Sequence, residues 1–259
     1  MAIDLKTLSR PTGGRPVAAT FFGEAGLGKS SLAALFPSPV FVRTEDGMAS
    51  LDGHPDLLMF DVARSTQDVF DAIEALATQE HDRKTLVIDS VTQYEKLAIR
   101  EILDDEPNPK AKNMAAAHGG YGKAYGMLDK KHQDLREACD YLLRDCNMNV
   151  VFIAHATTEE MELPDTDKYS RYTIQLHKNR QFDCTQAYVG NVDIVAFIRL
   201  KTLLRGNDGG KKRALSSGER EIICFPVANC VSKNRFGLTD VIDFDINKGN
   251  PFAGKIPGL

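Results

Sequence analysis

"GEAGLGKSS", Gly23 to Ser31, lies between the apolar run "RPVAATFF" and the short apolar "LAALF". The spacing Gly23-x4-Gly28-Lys29-Ser30 fits G-x-x-x-x-G-K-[ST]. Glycine at 26 and 28 lets the backbone curl until its N–H groups converge on one point, and such a ring of donors binds an anion. A helix starting near Lys29 aims its positive end at the same point. The candidate phosphate cradle is Gly23, Glu24, Ala25, Gly26, Leu27, Gly28, Lys29, Ser30 and Ser31. A glycine-rich turn without a ligand needs neither a strand before it nor a helix after it, and this stretch has both. In this pattern Lys29 reaches the β- and γ-phosphates of a nucleotide and Ser30 ligates Mg2+, so ATP and Mg2+ are the expected ligands.

The flanking sequence alternates in the way such a loop requires. Arg15–Gly23 reads as a buried strand bounded by Pro16 and Gly23, and "KSSLAALF" as a helix stopped by Pro37 and Pro39. "PVFVRTE" (39–45), "LLMFDV" (57–62), "KTLVIDS" (84–90) and "MNVVFIAHA" (148–156) read as further strands. Between them, 65–79 carries apolar residues at helical spacing with Ser65 as N-cap, and helices are expected over about 91–103 and 123–146. The proline, glycine and charge content of 104–122 reads as an exposed insertion. After about residue 155 the pattern turns to strands: "YTIQL", "VDIVAFIRLKTLL" and "REIICFPV", with "RGNDGGKKR" as a loop tip. The expected class is α/β, a mostly parallel sheet flanked by helices with a β-rich C-terminal extension.

Composition narrows the setting. The chain has 259 residues, 42% hydrophobic and 26% charged, enough to bury a core without metal or disulfide support. No apolar run approaches the about 18–20 residues that cross a bilayer, so no membrane is expected, and "MAIDLKTLSRPTGGRP" carries no secretory h-region. Five cysteines, none in C-x-x-C, point to free thiols in a reduced cytoplasm. The six histidines lack zinc spacings. A net charge of -4 confines any nucleic-acid site to a local patch.

Two carboxylates complete the expected site. Asp89 ends the buried strand "TLVID", where it would support Mg2+; a helix-capping Asp is the plain alternative. Ser90 follows it, so the acidic pair common in hydrolysing enzymes of this kind is missing. Glu45, just past the second strand at the sheet edge where open α/β sheets bind ligands, is the candidate to activate water.

A phosphate loop, a glutamate after the second strand, an "IDS" aspartate and "VSKNRFG" (231–237) together resemble the RecA-like recombinase core. "KNRFG" is similar to the box of RadA-type proteins. The resemblance implies that Lys233 and Arg235 reach the nucleotide of the next subunit, and that His155 touches the γ-phosphate and relays its state. It implies a homo-oligomer, ring or filament, with ATP at subunit interfaces. It covers about Arg15 to Asp245, giving a core over 15–245, an arm over 1–14 and a tail over 246–259. The polymerisation, zinc and protease-like domains of the larger relatives are absent, so the chain resembles the short core-only annealing and recombination ATPases of bacteriophages, acting in the host cytoplasm.

The same resemblance places single-stranded DNA loops in 157–191. That stretch holds Lys168, Arg171, Lys178 and Arg180 among Tyr169, Tyr172, Phe182 and Tyr188, cations for phosphates and rings for bases. From Lys168 to Arg213 the only acids are Asp183, Asp193 and Asp208, and Arg205, Lys211, Lys212 and Arg213 follow in the next loop. Lys110 and Lys112 are weaker candidates. The expected activity is DNA-dependent ATP hydrolysis that promotes annealing or strand exchange, with a single-strand binding protein as a further candidate partner. A helicase- or packaging-type motor of the same fold, and a nucleotide-switched loader, stand as alternatives.

Overall fold

The structure is a computed structural model describing residues 14–47, 51, 54–206 and 212–259, with the side chains of 203–217 outside that description. The arm over 1–14, apart from Gly14, and the loop tip at 207–211 therefore lie outside the described residues. The chain builds β1 (Ala18–Gly23), α1 (Lys29–Ala34), β2 (Pro39–Arg43), β3 (Leu58–Met59), α2 (Thr66–Thr78), β4 (Thr85–Asp89), α3 (Val91–Asp104) and α4 (Lys123–Arg144). Then follow β5 (Asn149–Met161), β6 (Tyr169–Ile174), α5 (Gln186–Val189), β7 (Ile194–Gly206), β8 (Lys212–Ile223), β9 (Lys233–Asn234) and β10 (Ile242–Phe244). The strand order is β10-β8-β7-β1-β5-β4-β2-β3, and β7 through β3 along this path run parallel. β8 and β10 add antiparallel at one side, and β6 and β9 pair antiparallel with β5 and β7. The fold is α/β, a mostly parallel mixed sheet flanked by helices with a β-rich C-terminal extension.

β1 is buried at every position, which is why its sequence is apolar but for Thr20, whose hydroxyl donates to the Tyr188 carbonyl at 2.6 Å. Its alternate residues feed two cores, because successive side chains leave a strand on opposite faces. Ala18 and Phe22 join α2, α3 and α4 on one face. Ala19 and Phe21 join α1 on the other. α2 starts where its sequence says it should: Ser65 accepts from the Asp68 amide and Asp68 accepts from the Ser65 amide.

α1 has six residues, too few to cover the second face. The C-terminal segment, read from sequence as a tail, covers the rest. Phe252 is fully buried and stacks on Phe21 at 6.0 Å between centroids, Ile256 is buried beside it, and Asn250 Nδ2 donates to the Leu35 carbonyl at 3.2 Å. The insertion at 104–122 is mostly exposed, as its sequence reads, but three apolar residues turn inward. Met114 and Ala117 are buried in the first core and Ala111 is buried with them, at a spacing of three that the surrounding polar residues obscure.

A buried polar knot ties α3, α4 and α5 together. His132 Nδ1 lies 2.8 Å from the Tyr188 hydroxyl and Nε2 lies 3.2 Å from Glu95, which also accepts from the His177 amide at 2.8 Å. Each group has a partner, as burial demands. No cysteine is disulfide-bonded, and burial pushes the Cys139 thiol up to about 12 and Cys224 up to about 11, so both stay protonated and unreactive.

Phe252→Ala should cost about 3–5 kcal/mol in urea unfolding. A loss below ~1 kcal/mol would mean that the C-terminal segment contributes little to the core.

Candidate nucleotide site

Parallel register sets the site. Gly23 of β1 pairs with His155 of β5, Ile153 of β5 with Asp89 of β4, and Asp89 with Arg43 of β2. β1 and β4 thus end within two residues of one another along β5, and the residues just beyond them share one edge with His155. There Ala25, Gly26, Gly28, Lys29, Ser30, Ser31, Glu45, Asp46, Gly47, Asp89, His155 and Arg220 line a cavity of about 370 Å3, within the range of small-ligand pockets.

Backbone geometry explains the glycines. A Cβ on Gly23 would stand 2.4 Å from the Ile198 carbonyl of β7, so only glycine lets β1 and β7 approach this closely at the point where the loop begins. Gly28 sits at φ +82 just before α1, a left-handed conformation that glycine adopts without strain. Lys29 is buried, and its ammonium donates to the carbonyls of Gly23 (3.1 Å) and Glu24 (2.8 Å), closing the loop on itself. Burial holds its pKa below the ordinary lysine value, against the pull of Asp89, Glu45 and Glu24.

Ser30 Oγ donates to Asp89 Oδ2 at 2.6 Å. Burial raises the Asp89 pKa, the Ser30 hydrogen bond and Lys29 opposing it. A hydroxyl and a carboxylate side by side, the carboxylate desolvated and without an ion pair among the described residues, are hard oxygen donors that fit Mg2+. Ser30 and Asp89 would hold the ion, which on binding supplies positive charge to phosphate oxygens. Asp89 does not cap α3; Ser90 takes that role by accepting from the Gln93 amide at 3.3 Å, and the Asp89–Ser90 peptide is cis.

Glu45 stands opposite His155, with Oε1 3.4 Å from Nε2. The loop carrying it is pinned by Thr44, whose hydroxyl donates to the Ser90 carbonyl (2.8 Å) and accepts from the Ser90 amide (2.9 Å). The His155 hydrogen bond, then the charges of His155 and Lys29 and a hydrogen bond from Ser90, hold Glu45 below its ordinary pKa despite partial burial. Lys29, Ser30, Glu45, Asp89 and His155, drawn from sequence positions up to 126 residues apart, are therefore one cluster.

The sequence profile of a family described as an AAA domain matches residues 15–236. The chain belongs to this AAA domain family. Among curated proteins, none matches it. Membership makes the chain an AAA-type P-loop ATPase domain, a nucleotide-binding unit for which Mg2+ is the usual companion ion. No helix among the described residues is long and apolar enough to cross a membrane.

The other residues that the sequence suggested lie elsewhere. Lys233 donates to the Gly190 carbonyl at 2.6 Å, and Arg235 pairs with Asp193 at 3.1 Å. Asp193 is buried and also accepts from the Ala18 amide (3.1 Å) and Arg15 (2.5 Å), so this pair helps to anchor the start of β1. Neither residue lines the nucleotide cavity of its own chain. Of the four cations proposed for DNA, Arg171 and Lys178 both pair with Glu159, at 2.7 and 2.8 Å, and Lys168 pairs with Glu160 at 3.3 Å. The stretch from Lys168 looks poor in acids in sequence because Glu159, Glu160 and Glu162 precede it; the β5–β6 hairpin folds them back onto it. Arg180 is exposed and has no ion pair among the described residues. Tyr188 is not a stacking platform: it is fully buried in the core, bonded to His132. Tyr172 packs on Phe197 at 4.7 Å. The side chains of Arg205, Lys211, Lys212 and Arg213 lie outside the described residues.

Arg220 was absent from the sequence-based site. It lies in β8, about 190 residues after the phosphate loop, and no motif spacing connects the two.

Asp89 carries a pH signature. Its folded pKa exceeds the unfolded value, so the folded state binds an extra proton between the two. That contribution is fully present below about 3.8, the usual carboxylate range, and is lost as pH rises through the folded value. Asp89→Asn should therefore gain stability relative to wild type as pH rises through this window, measured by ligand-free urea unfolding from pH 4 to 8. A difference that does not change with pH would show that burial does not burden this carboxylate.

Proposed function

We propose that this domain is a RecA-like, single-stranded-DNA-dependent ATPase that assembles on DNA and promotes annealing or strand exchange. One observation carries the reading. β5 runs in the parallel sheet up to His155, then continues from Ala156 to Met161 as the first strand of the β5–β6 hairpin. His155 touches the carboxylate at the nucleotide cavity and sits at the junction of the two segments, held by its amide on Thr92 (3.0 Å) and its carbonyl on the Gln175 amide (2.9 Å). The hairpin and the loop after it carry Lys168, Arg171, Lys178 and Arg180. A change at the γ-phosphate thus has a continuous strand along which to reach the proposed DNA surface.

In the reaction, water attacks the γ-phosphorus as the bond to the β–γ bridging oxygen breaks and ADP leaves. Glu45 orients the water and receives its proton. Its lowered pKa keeps it ionised at neutral pH, so it acts chiefly by positioning and accepts the proton late. The polyphosphate gives Lys29 the counter-charge that its buried ammonium lacks. In the assembled state Lys233 and the half-exposed Arg235 act on a neighbour's nucleotide, which requires them to leave Gly190 and Asp193.

A second reading has its own observation. The cations of the hairpin are already paired with Glu159 and Glu160, which favours a nucleotide switch driven by a partner protein. ATP hydrolysis with and without single-stranded DNA across a salt series separates the two. Stimulation that fades with salt supports the DNA reading. Turnover indifferent to DNA at every salt concentration overturns it in favour of the switch.

Glu45→Gln should bind ATP near wild-type affinity and lose about 100-fold or more in turnover, the scale of a general-base deletion. Unchanged turnover removes Glu45 from the mechanism. His155→Ala removes the main cause of the lowered Glu45 pKa, so the acid limb of the kcat/KM profile should move to higher pH. An unmoved limb would separate Glu45 from that profile.

A further inference from the structure

Arg220 reaches the nucleotide cavity from the antiparallel side of the sheet. In β8 the cross-strand pairs place Arg220 beside Leu200 of β7 and Phe244 of β10, on the face that carries Ile222 into the second core. Its neighbours Glu219 and Glu221 leave from the other face. There Arg199 pairs with Glu221 at 2.6 Å, and Lys201 pairs with Asp243 at 2.7 Å and Glu219 at 3.7 Å. Each acid flanking Arg220 thus has a different cation.

The guanidinium itself has no ion pair or side-chain hydrogen bond among the described residues, although the residue is only partly exposed. It lies over the phosphate loop: a Cβ on Gly28 would stand 3.1 Å from Arg220 Nη1 and 3.2 Å from the Phe244 ring. The room left by Gly28 therefore does two things. It lets the loop take its positive φ, and it admits an arginine above the loop. Arg220 also lines the adjoining cavity of about 380 Å3, with Lys201, Asp243, Phe244 and Asn247. It forms the wall between the two.

We propose that Arg220 is a phosphate-contacting residue of the nucleotide site, supplied by the same chain and distinct from the Lys233–Arg235 pair. A planar guanidinium with free donors suits a phosphate oxygen pair, and an unpaired cation at a cavity rim gains its counter-charge when a polyanion enters. Gly28 belongs to the part of the loop that cradles the α- and β-phosphates. Arg220 therefore contacts phosphates that ATP and ADP share, which separates it from a γ-phosphate finger. Its role is affinity for the nucleotide, in a single protomer and without DNA.

This inference rests on the nucleotide-binding reading of the cavity, and the test distinguishes the two. Fluorescent ATP and ADP analogues with Mg2+ are titrated into wild type, Arg220→Gln and Arg220→Lys at protein concentrations that keep the chain monomeric. Circular dichroism confirms the fold of each variant. The proposal expects Arg220→Gln to weaken ATP and ADP alike by about 10-fold or more, the scale of a lost hydrogen bond to a charged group, with Arg220→Lys in between. Wild-type-like affinities in Arg220→Gln overturn it while leaving the nucleotide site standing, and a loss confined to ATP overturns the assignment to shared phosphates. Should Arg220→Gln fail to fold, Arg220→Lys decides: full wild-type affinity for both nucleotides overturns bidentate contact, and a several-fold loss for both supports it. A wild-type chain that binds neither nucleotide overturns the site itself and this role with it.

Discussion

The register of the parallel strands is the constraint on which the rest depends. A parallel ladder leaves no freedom in how β1, β4 and β5 sit relative to one another once their pairing is set, so Gly23 is fixed beside His155, and Asp89 beside Ile153 two residues earlier, before any side chain is placed. The closest point is Gly23 against the Ile198 carbonyl, where no side chain fits. A one-residue slip of β1 would turn its buried set to the wrong faces and carry the phosphate loop out of line with Asp89. The two cores, one on each face, are what hold that register.

Electrostatics then shows a site built for a ligand it does not itself contain in charge. Burial lowers the Lys29 pKa and raises that of Asp89, each disfavouring its charged form. Lys29 spends its donors on loop carbonyls and Asp89 accepts from Ser30, neutral partners rather than each other. A polyphosphate with a divalent cation reverses both penalties at once, the anion restoring the lysine's charge and the cation the carboxylate's. Glu45 is the exception, since His155 stabilises its charge in the same cavity. Two carboxylates there are thus tuned in opposite directions.

Much of this was legible in the chain. The phosphate loop, the fully buried β1 and β4, the Ser65 cap and the α/β alternation are local patterns, and local patterns survive into structure when burial agrees with them. Gly23, Lys29, Ser30 and Asp89 follow from motif and strand end alone. Three features were not legible because they depend on partners distant in sequence. Phe252 fills a face left open by a six-residue helix, and nothing near it announces that vacancy. Tyr188 lies in a run of cations and aromatics, yet burial against His132 decides its role. Arg220 is one cation in an alternating strand until register places it over Gly28.

The acids folded onto the β5–β6 hairpin bear on how such a surface would meet a polyanion. Arg171 and Lys178 share Glu159, so a phosphate that takes either cation must compete with a carboxylate already in place. Solvent-exposed pairs contribute about 0–1 kcal/mol each, and the partly covered Glu159 makes these two somewhat harder to exchange. Competition lowers affinity for an isolated phosphate more than for a strand that offers several together, since each displaced carboxylate is repaid by neighbouring contacts along the same backbone. On the proposed DNA reading, a hairpin paired in this way would favour a polymer over free anions, and its first strand begins at Ala156, next to His155 at the cavity.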